Sequence, residues 1–326
     1  MNPLSSTSGA VVVRESLPAT RDADEPLAWM DGAFVPRSQL RLPVGDAGFV
    51  LGAAVTEQLR TFQGRLFLPA AHEERLRESL AIVGTAPALP LADVFAAAAD
   101  VAAHNHALQP AADDLALVIF VTPGDLPAQH DGHAGAPRSI IHTFPLAFCG
   151  WADAYEAGVS LRVAAVRQVP EACWPVRAKV RSRLHYHLAD REVQVVEPAA
   201  RAVLLHLDGR VSETSTANVA IVRDDAILTP PSADALPGVS LRHVHDLART
   251  LGLGWEARSL TAADLAAADE ILLTSTPSCI LPATRFDGRP VGSGTPGRVY
   301  RRLLSAWSDR VGLDIAAQAR RYRIRA

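Results

Sequence analysis

Cysteine, long apolar runs and an excess of basic residues are all scarce in this sequence. The three cysteines are widely spaced and odd in number, which excludes a disulfide framework and leaves no pair at metal-ligand spacing. Residues 1–25 hold one short apolar run, too short for a signal peptide, and no stretch approaches the roughly 18 apolar residues of a transmembrane helix. A formal net charge of -3 argues against a nucleic-acid surface. We therefore expect a cytoplasmic protein with no membrane, nucleic-acid or metal partner.

The length of 326 residues exceeds one average domain, and hydrophobic residues make up 48% of the chain, enough for a sizeable core. Residues 1–25 are rich in Ser, Thr and Asp and are expected to form a flexible tail. The remaining patterns predict an α/β protein: an α+β N-terminal domain (26–148), an interdomain linker (149–158) and a β-rich α/β C-terminal domain (159–326).

Apolar periodicity predicts the individual elements. An Asp31-Gly32 turn predicts a hairpin over 27–36, and Thr261 with Asp264 has the spacing of a capping box at a helix start. Further strands are predicted at 55–62, 65–68, 115–121, 140–144, 159–166, 202–207, 211–212, 217–222, 226–228, 271–275 and 280–286. Helices are predicted at 72–83, 91–108, 183–195, 241–251, 262–268 and 298–307.

Lysine is the scarcest basic residue, because Lys179 is the only lysine among 32 lysines and arginines. An amine can lose its proton and form a Schiff base, which a guanidinium cannot do. A chain so biased toward arginine is expected to keep lysine where that chemistry is needed. Neighbouring Arg177, Arg181 and Arg183 would help to lower the pKa of such an amine by charge repulsion.

Five other segments carry polar residues in a distinctive order. They are Asp46-Ala47-Gly48-Phe49 with Glu57, His72 with Arg75-Leu76, Asp208 to Asn218, Leu236-Pro237-Gly238-Val239-Ser240, and Thr274-Ser275-Thr276. Together with Lys179, these segments resemble the fold-type IV pyridoxal-phosphate enzymes, the group that contains branched-chain and D-amino acid aminotransferases. The resemblance covers nearly the whole chain apart from the N-terminal tail.

The resemblance implies pyridoxal 5'-phosphate as cofactor, held covalently by Lys179, whose amine then moves a proton to and from the substrate. Glu213 would pair with the pyridine nitrogen of the cofactor and keep it protonated. The phosphate would be held by a guanidinium, helix N–H groups and hydroxyls of four residues: Arg75, Val239, Ser240 and Thr276. The resemblance also implies a homodimer that transfers an amino group from a small-molecule amino donor to a keto-acid acceptor by a ping-pong mechanism.

The substrate side departs from both templates. D-Amino acid aminotransferases carry an arginine two residues before a histidine, whereas Ala128 precedes His130 here. The tyrosine common in the strand of Glu57 is replaced by Thr56, and branched-chain enzymes have a tyrosine where Leu184 follows the lysine. The candidate substrate contacts are Thr56, Arg60, His130 and Arg183, with Arg60 or Arg183 binding the carboxylate. Otherwise the amino donor is not an ordinary α-amino acid.

Two other functions fit the same residues. An aminodeoxychorismate lyase-like elimination would use the same lysine and cofactor, and a binding protein could keep the fold without turnover.

The segment Gly292 to Gly297 satisfies the dinucleotide-binding motif, but no strand leads into it. We interpret it as a loop that precedes a helix.

Overall fold

The computed structural model describes residues 24–133 and 135–324, so the predicted tail lies outside the described residues except for its last two positions. In the first half the strands and helices are β1 (Leu27–Met30), β2 (Ala33–Pro36), α1 (Ala47–Val50), β3 (Val55–Phe62), β4 (Arg65–Leu66), α2 (Pro69–Val83), α3 (Leu91–Ala107), β5 (Leu115–Thr122) and β6 (Arg138–Pro145).

The first half folds into one six-stranded antiparallel sheet with the order β2-β1-β6-β5-β3-β4. The predicted hairpin is confirmed, with Asp31 and Gly32 both at positive φ in the turn. Helices α2 and α3 cover one face of the sheet, because their apolar stripes bury Leu76 and Val101 against Leu59 and Ile119. This packing fixes α2 beside β3, where two charged site residues meet.

The second half begins with α4 (Ala154–Ala157), β7 (Val159–Val163), α5 (Leu184–Val196), β8 (Arg201–Leu205), β9 (Val211–Thr214), β10 (Asn218–Arg223) and β11 (Ala226–Thr229). It continues with α6 (Val239–Thr250), β12 (Gly254–Ala257), α7 (Ala262–Ala266), β13 (Glu270–Ser275), β14 (Cys279–Phe286), β15 (Arg289–Pro290), α8 (Arg298–Val311) and α9 (Ile315–Arg321). Short 3-10 turns occupy Arg37–Gln39, Pro127–Gln129 and Phe148–Gly150.

The second sheet has the strand order β12-β11-β10-β13-β14-β7-β8-β9, and β15 pairs with β14 at its side. Strand β9 also pairs with β10 through Glu213 and Asn218, so the strands from β10 round to β9 form a closed ring. Strands β7 and β8 are parallel, as are β7 and β14, while the other ring pairs are antiparallel. The closure brings the end of β9 to the beginning of β10, and both carry polar residues of the site.

In the second half the predicted end of β7 needs correction, and α4, α9, β12 and β15 were not predicted. Strand β7 ends at Val163, because the N–H groups of Ala165 and Val166 donate to the Glu192 carboxylate of α5 at 2.7 and 3.2 Å. Helix α9 escaped prediction because it is short and alanine-rich, although Asp314 caps it. Strand β12, Gly254–Ala257, was also missed. The capping box of Thr261 and Asp264 is confirmed, and Gly292 to Gly297 form a loop before α8.

The predicted linker, 149–158, is packed into the protein. The buried Tyr155 hydroxyl donates to the carbonyl of Ser278 at 2.8 Å. The Tyr155 carbonyl accepts from the hydroxyl of Tyr300 at 3.1 Å. Phe62 of the first sheet also belongs to the apolar cluster of the second half. We propose that the domain boundary lies in this segment, since the two sheets end and begin on either side of it. Within the described ranges, no helix is long and apolar enough to cross a membrane.

Candidate active site

A cavity of about 380 Å³ lies between the two halves of the chain. Its walls come from β3, α2, the segment around Lys179, the β9–β10 turn, the start of α6 and the loop between β13 and β14. The predicted site residues that line it are Lys179, Arg75, Glu213, Val239, Ser240, Thr276, Thr56 and Arg183. Most of these residues are far apart in sequence, so the fold brings them together.

The backbone around Lys179 is fixed against β3 and α2. The carbonyl of Lys179 accepts from the N–H of Thr56 at 2.9 Å, and its own N–H donates to the Ser79 hydroxyl at 3.1 Å. Two residues on, Arg181 donates its N–H to the carbonyl of Ala54 at 2.8 Å. Lys179 therefore lies on a short strand-like segment with its side chain at the cavity.

Burial and, second to it, the positive charge of Arg75 lower the pKa of the Lys179 amine to about 8, against the opposing charge of Glu57. Arg183 also lowers this pKa, as predicted, but Arg177 lies in an exposed ion pair with Glu171 at 3.6 Å. The contribution of Arg75 could not be predicted, because it is distant in sequence. Near neutral pH an amine with this pKa has a far larger unprotonated fraction than an ordinary lysine, although most of it is still protonated, and the unprotonated form is the one that acts as a nucleophile or base.

Glu57 holds Arg75 in place from the neighbouring strand. Arg75 donates from Nε to Oε1 of Glu57 at 2.8 Å and from Nη2 to Oε2 at 2.7 Å. The Nδ1 atom of His72 lies 2.6 Å from the same Oε2 atom. Burial alone would raise the pKa of the Glu57 carboxyl, but Arg75 overcomes this and lowers it to about 2. The third nitrogen, Nη1, reaches the carbonyl of Pro237 at 3.1 Å and so points toward the start of α6.

Replacing Glu57 with Gln is expected to destabilise the cofactor-free protein by about 3 kcal/mol at pH 7, since it leaves the buried Arg75 charge unpaired. Because the pKa of Glu57 is lowered in the folded state, its carboxylate stabilises the fold at pH values above its ordinary pKa of 4.5. This stabilisation is lost as the pH falls toward about 2. In Glu57→Gln, the free energy of unfolding should therefore fall less between pH 4.5 and pH 2 than it does in the wild type. Urea unfolding across that range measures both effects.

The matched control is Glu73→Gln on α2, the helix that carries Arg75, because Glu73 pairs with the exposed Arg77 at 2.5 Å. A pair of that kind contributes about 0.5 kcal/mol or less. Equal destabilisation by the two substitutions would contradict the importance of the buried pair.

Glu213 lies at the end of β9 and is buried beneath the cavity. Its Oε1 atom accepts from the hydroxyl of Tyr186 at 2.6 Å. Its Oε2 atom accepts from the amide of Asn218 at 3.2 Å and from the N–H of Leu236 at 3.3 Å. Burial raises the pKa of the Glu213 carboxyl, while the Tyr186 hydroxyl, Lys179 and the Leu236 N–H oppose the shift. The carboxylate is fixed in orientation, and none of its hydrogen-bond partners among the described residues is cationic.

The start of α6 forms part of the cavity wall, next to Arg75. The helix begins at Val239 after Gly238, and no side chain caps its first N–H groups. A Cβ at Gly238 would collide with the amide oxygen of Asn218, so only glycine fits there. Across the cavity, the hydroxyl of Thr274 is buried without a hydrogen-bond partner among the described residues. Uncapped N–H groups, a nearby guanidinium and an unpaired hydroxyl fit a phosphate group.

Comparison with known proteins agrees with this geometry. A family model described as amino-transferase class IV matches residues 54–286, more than half of the chain. The chain belongs to this family. Class IV aminotransferases use pyridoxal 5'-phosphate, and the reaction of this aminotransferase is pyridoxal-phosphate-dependent transamination. The predicted family, α/β fold, cofactor and enzyme class are thereby confirmed.

Individual relatives span nearly the whole aminotransferase. The D-alanine aminotransferase of Bacillus licheniformis is 28% identical over 284 residues, covering 86% of this chain and 95% of the relative. The crystal structure of Escherichia coli branched-chain amino acid aminotransferase has a TM-score of 0.81 at 24% identity, covering 87% of this chain and 94% of the other. The PLP-form of the branched-chain enzyme from Thermobaculum terrenum has a TM-score of 0.76 at 20% identity, with coverage of 93% and 97%. The two structural matches support the fold alone.

Two predicted substrate contacts do not line the cavity of the aminotransferase. Arg60 is fully buried, and its guanidinium donates to the carbonyl of Pro277 at 2.9 Å and to Oε1 of Gln318 at 3.0 Å. The prediction that Arg60 binds substrate is therefore wrong, because its donors hold the loop behind the site. His130 lies on an exposed loop after a 3-10 turn and does not line the cavity of its own chain, so its contact with substrate stays a prediction.

Several residues of the aminotransferase site were missed in the sequence. Tyr186, which contacts Glu213, lies two positions beyond the place where branched-chain enzymes carry a tyrosine, so α5 offered a signal. Arg201 lines the cavity from the first position of β8, and nothing in its local sequence indicates this. Among the described residues, no group of His, Cys, Asp and Glu side chains could hold a metal ion.

Proposed function

We propose that Lys179 and Glu213 carry the ping-pong transfer of an amino group from an amino acid or amine donor to a keto acid. The observation that carries this proposal is their convergence on one cavity with an anion-binding end. The amine, the buried carboxylate and the helix start fit the aldehyde, ring nitrogen and phosphate of pyridoxal 5'-phosphate. When bound, the cofactor supplies an electron sink for breaking the Cα–H bond of the substrate.

The phosphate is held by the end of the cavity formed by α6. Arg75 is supported by Glu57 and reaches toward this end, where Val239 and Ser240 offer N–H groups and Thr276 offers a hydroxyl across the cavity. The helix dipole adds a partial positive charge in the same direction. These four residues account for a phosphate dianion without any metal ligand.

Lys179 would hold the cofactor covalently, and its amine is placed to accept and return the substrate proton. Its lowered pKa keeps enough of the amine unprotonated to act as a base near neutral pH. Glu213 holds a proton on the pyridine nitrogen, with its own position fixed by Tyr186, Asn218 and Leu236. The two residues thus hold protons at opposite ends of the cofactor.

Thr56 and Arg183 contribute the substrate side of the cavity. The Thr56 hydroxyl donates to the carbonyl of Ile119 at 3.1 Å, so it shapes the wall more than it offers a free donor. Arg183 is cationic and lies over the Tyr186 ring, 4.8 Å from its centroid. We assign Arg183 to the α-carboxylate of the substrate.

We further propose a homodimer that works in the cytoplasm. Phe49 and Leu51 are 69% and 63% exposed, and Leu184 of the following half is 69% exposed. The two segments meet where the Ser182 hydroxyl donates to the carbonyl of Gly52 at 2.8 Å. Exposed apolar residues so close together are typical of a protein interface beside the site. All three cysteines are free thiols, as suits a reducing compartment.

The test is a spectroscopic assay of the two half-reactions. We expect the purified enzyme, loaded with pyridoxal 5'-phosphate, to change to the pyridoxamine spectrum when an amino donor is added without an acceptor. A keto acid should then restore the first spectrum, which demonstrates ping-pong transfer. Pyruvate release from aminodeoxychorismate without any keto acid would show the lyase reaction instead. A loaded enzyme that responds to no donor would contradict both reactions.

A further inference from the structure

A continuous set of hydrogen bonds leads from the backbone at Asp234 to the carboxylate of Glu213, and it is called here the Gln168 network. The Ser212 hydroxyl donates to the carbonyl of Asp234 at 2.6 Å. The side-chain amide of Gln168 donates to the Ser212 hydroxyl at 3.1 Å and to the Tyr186 hydroxyl at 3.0 Å. Tyr186 in turn donates to Oε1 of Glu213 at 2.6 Å. Gln168, Ser212 and Glu213 are buried, so this network is shielded from bulk water.

The direction of each bond in the Gln168 network is set by backbone groups that cannot reverse. The carbonyl of Asp234 can only accept, so the proton of the Ser212 hydroxyl is committed to it. The side-chain oxygen of Gln168 accepts from the N–H of Val169 at 2.8 Å, so the two N–H groups of this amide face the two hydroxyls. The Tyr186 hydroxyl therefore accepts from the amide, and its single proton goes to the carboxylate.

The second oxygen of the Glu213 carboxylate is held in the same way. Its Oε2 atom accepts from the amide of Asn218 at 3.2 Å and from the N–H of Leu236 at 3.3 Å. The Asn218 amide also donates to the carbonyl of Leu236 at 2.7 Å, which identifies its nitrogen as the atom that faces Glu213. Three donors thus converge on one carboxylate, and hydrogen bonds donated to the charged form favour that form.

These donors oppose the effect of burial on Glu213. Burial raises the pKa of the carboxyl, and the Tyr186 hydroxyl is the strongest of the groups that lower it. The two cations that act on the carboxyl, Lys179 and Arg183, also lower this pKa, but among the described residues neither donates a hydrogen bond to it. The bond from Tyr186 therefore has the largest part in keeping the carboxylate ionised.

A carboxylate that shares a proton with a pyridine nitrogen keeps the ring electron-withdrawing only while the proton lies on the nitrogen. We propose that Gln168 is a positioning residue: through Tyr186 it holds Glu213 as an acceptor, so that the shared proton rests on the ring nitrogen of the bound cofactor. Gln168 does not line the cavity and acts from behind Glu213. This inference rests on the role of Glu213 in the proposed function.

The first test removes single bonds of the network in the cofactor-free protein. Tyr186→Phe lacks the hydroxyl, so the stability that Glu213 loses with rising pH should be lost at a higher pH than in the wild type. Gln168→Met keeps a similar shape, and it should shift the loss in the same direction by less, because the amide orients and polarises the hydroxyl. Thermal unfolding between pH 4 and pH 9 measures both. An unchanged pH dependence in either variant would overturn the inference.

The matched control is Tyr300→Phe, because the buried Tyr300 hydroxyl donates to the carbonyl of Tyr155 at 3.1 Å and lies outside the cavity lining. This variant should lose stability without a change in its pH dependence. The double variant Gln168→Met with Tyr186→Phe should behave as Tyr186→Phe alone, since Gln168 acts through the hydroxyl. Additive shifts in the double variant would contradict that positioning role.

The loaded enzyme provides an independent measurement. With nitrogen-15-labelled pyridoxal 5'-phosphate, the ring-nitrogen chemical shift should move toward its unprotonated value in Tyr186→Phe. In the same variant kcat should fall about tenfold, the usual effect of one hydrogen bond to a charged group, with KM for the keto acid nearly unchanged. An unchanged nitrogen shift would overturn the inference. If no donor or keto acid reacts while the nitrogen shift still moves, the transaminase function fails and the positioning role stands.

Discussion

Lys179→Ala is expected to lower kcat by about 10³-fold or more, because it removes both the covalent anchor and the base that moves the substrate proton. The variant should still bind pyridoxal 5'-phosphate through the α6 end of the cavity, since that end contains no part of Lys179. Borohydride reduction followed by mass spectrometry is the direct measurement. The native chain should gain one covalently fixed cofactor, and the variant should gain none.

The composition of the chain makes this experiment unusually clean. Lys179 is the only lysine, so no other side-chain amine can be labelled and mislead the assignment. Lys179→Arg is the matched control: it keeps the positive charge beside Glu57 and Glu213, yet a guanidinium cannot form the covalent bond. Near-native activity in Lys179→Arg would contradict the proposed role, and unchanged cofactor labelling in Lys179→Ala would place the anchor elsewhere.

The sequence predicted the residues whose roles depend on local structure. Glu213 and Val239 were assigned through the resemblance to the family's motifs, and those motifs are local: Glu213 ends a short strand, and Val239 follows a Pro-Gly pair that opens a helix. Lys179 was recognisable as the candidate for Schiff-base chemistry because it is the only lysine in the chain. The α/β architecture followed from apolar periodicity, which also explains why most predicted strands and helices are confirmed.

What could not be predicted depends on packing between distant segments. Arg60 looked like a free strand arginine, but the packing of α9 against β3 brings Gln318 to its guanidinium and buries it. Arg201 faces the cavity only because β8 lies beside β9 in the closed ring. A single sequence does not encode such neighbours in any local pattern. The substrate side consists largely of these contacts, so substrate choice was the part left open.

Glu213 is the residue where activity and stability are expected to oppose each other. Its pKa is raised by burial, so its contribution to stability is present below the ordinary pKa of 4.5 and is lost as pH rises through the higher folded value. Above its folded pKa, the ionised Glu213 carboxylate is therefore unfavourable for the fold of the cofactor-free protein. The protonated ring nitrogen of the cofactor would supply the missing positive charge, which gives this unfavourable group a function.

Glu213→Gln is accordingly expected to lower kcat about 10²- to 10³-fold, because a neutral amide cannot keep the ring nitrogen protonated and the lost ion pair amounts to about 3–4 kcal/mol. Borohydride should still fix the cofactor to Lys179 in this variant. The experiment therefore separates the anchoring role of Lys179 from the role of Glu213 at the ring nitrogen.

In the cofactor-free protein, thermal unfolding between pH 5 and pH 8 should show that the wild type loses stability with rising pH relative to the variant. Glu256→Gln, at an exposed position of β12, should behave as wild type in both measurements. Full activity of the variant would contradict the catalytic role of Glu213, and the same pH dependence of stability as wild type would contradict its effect on the fold.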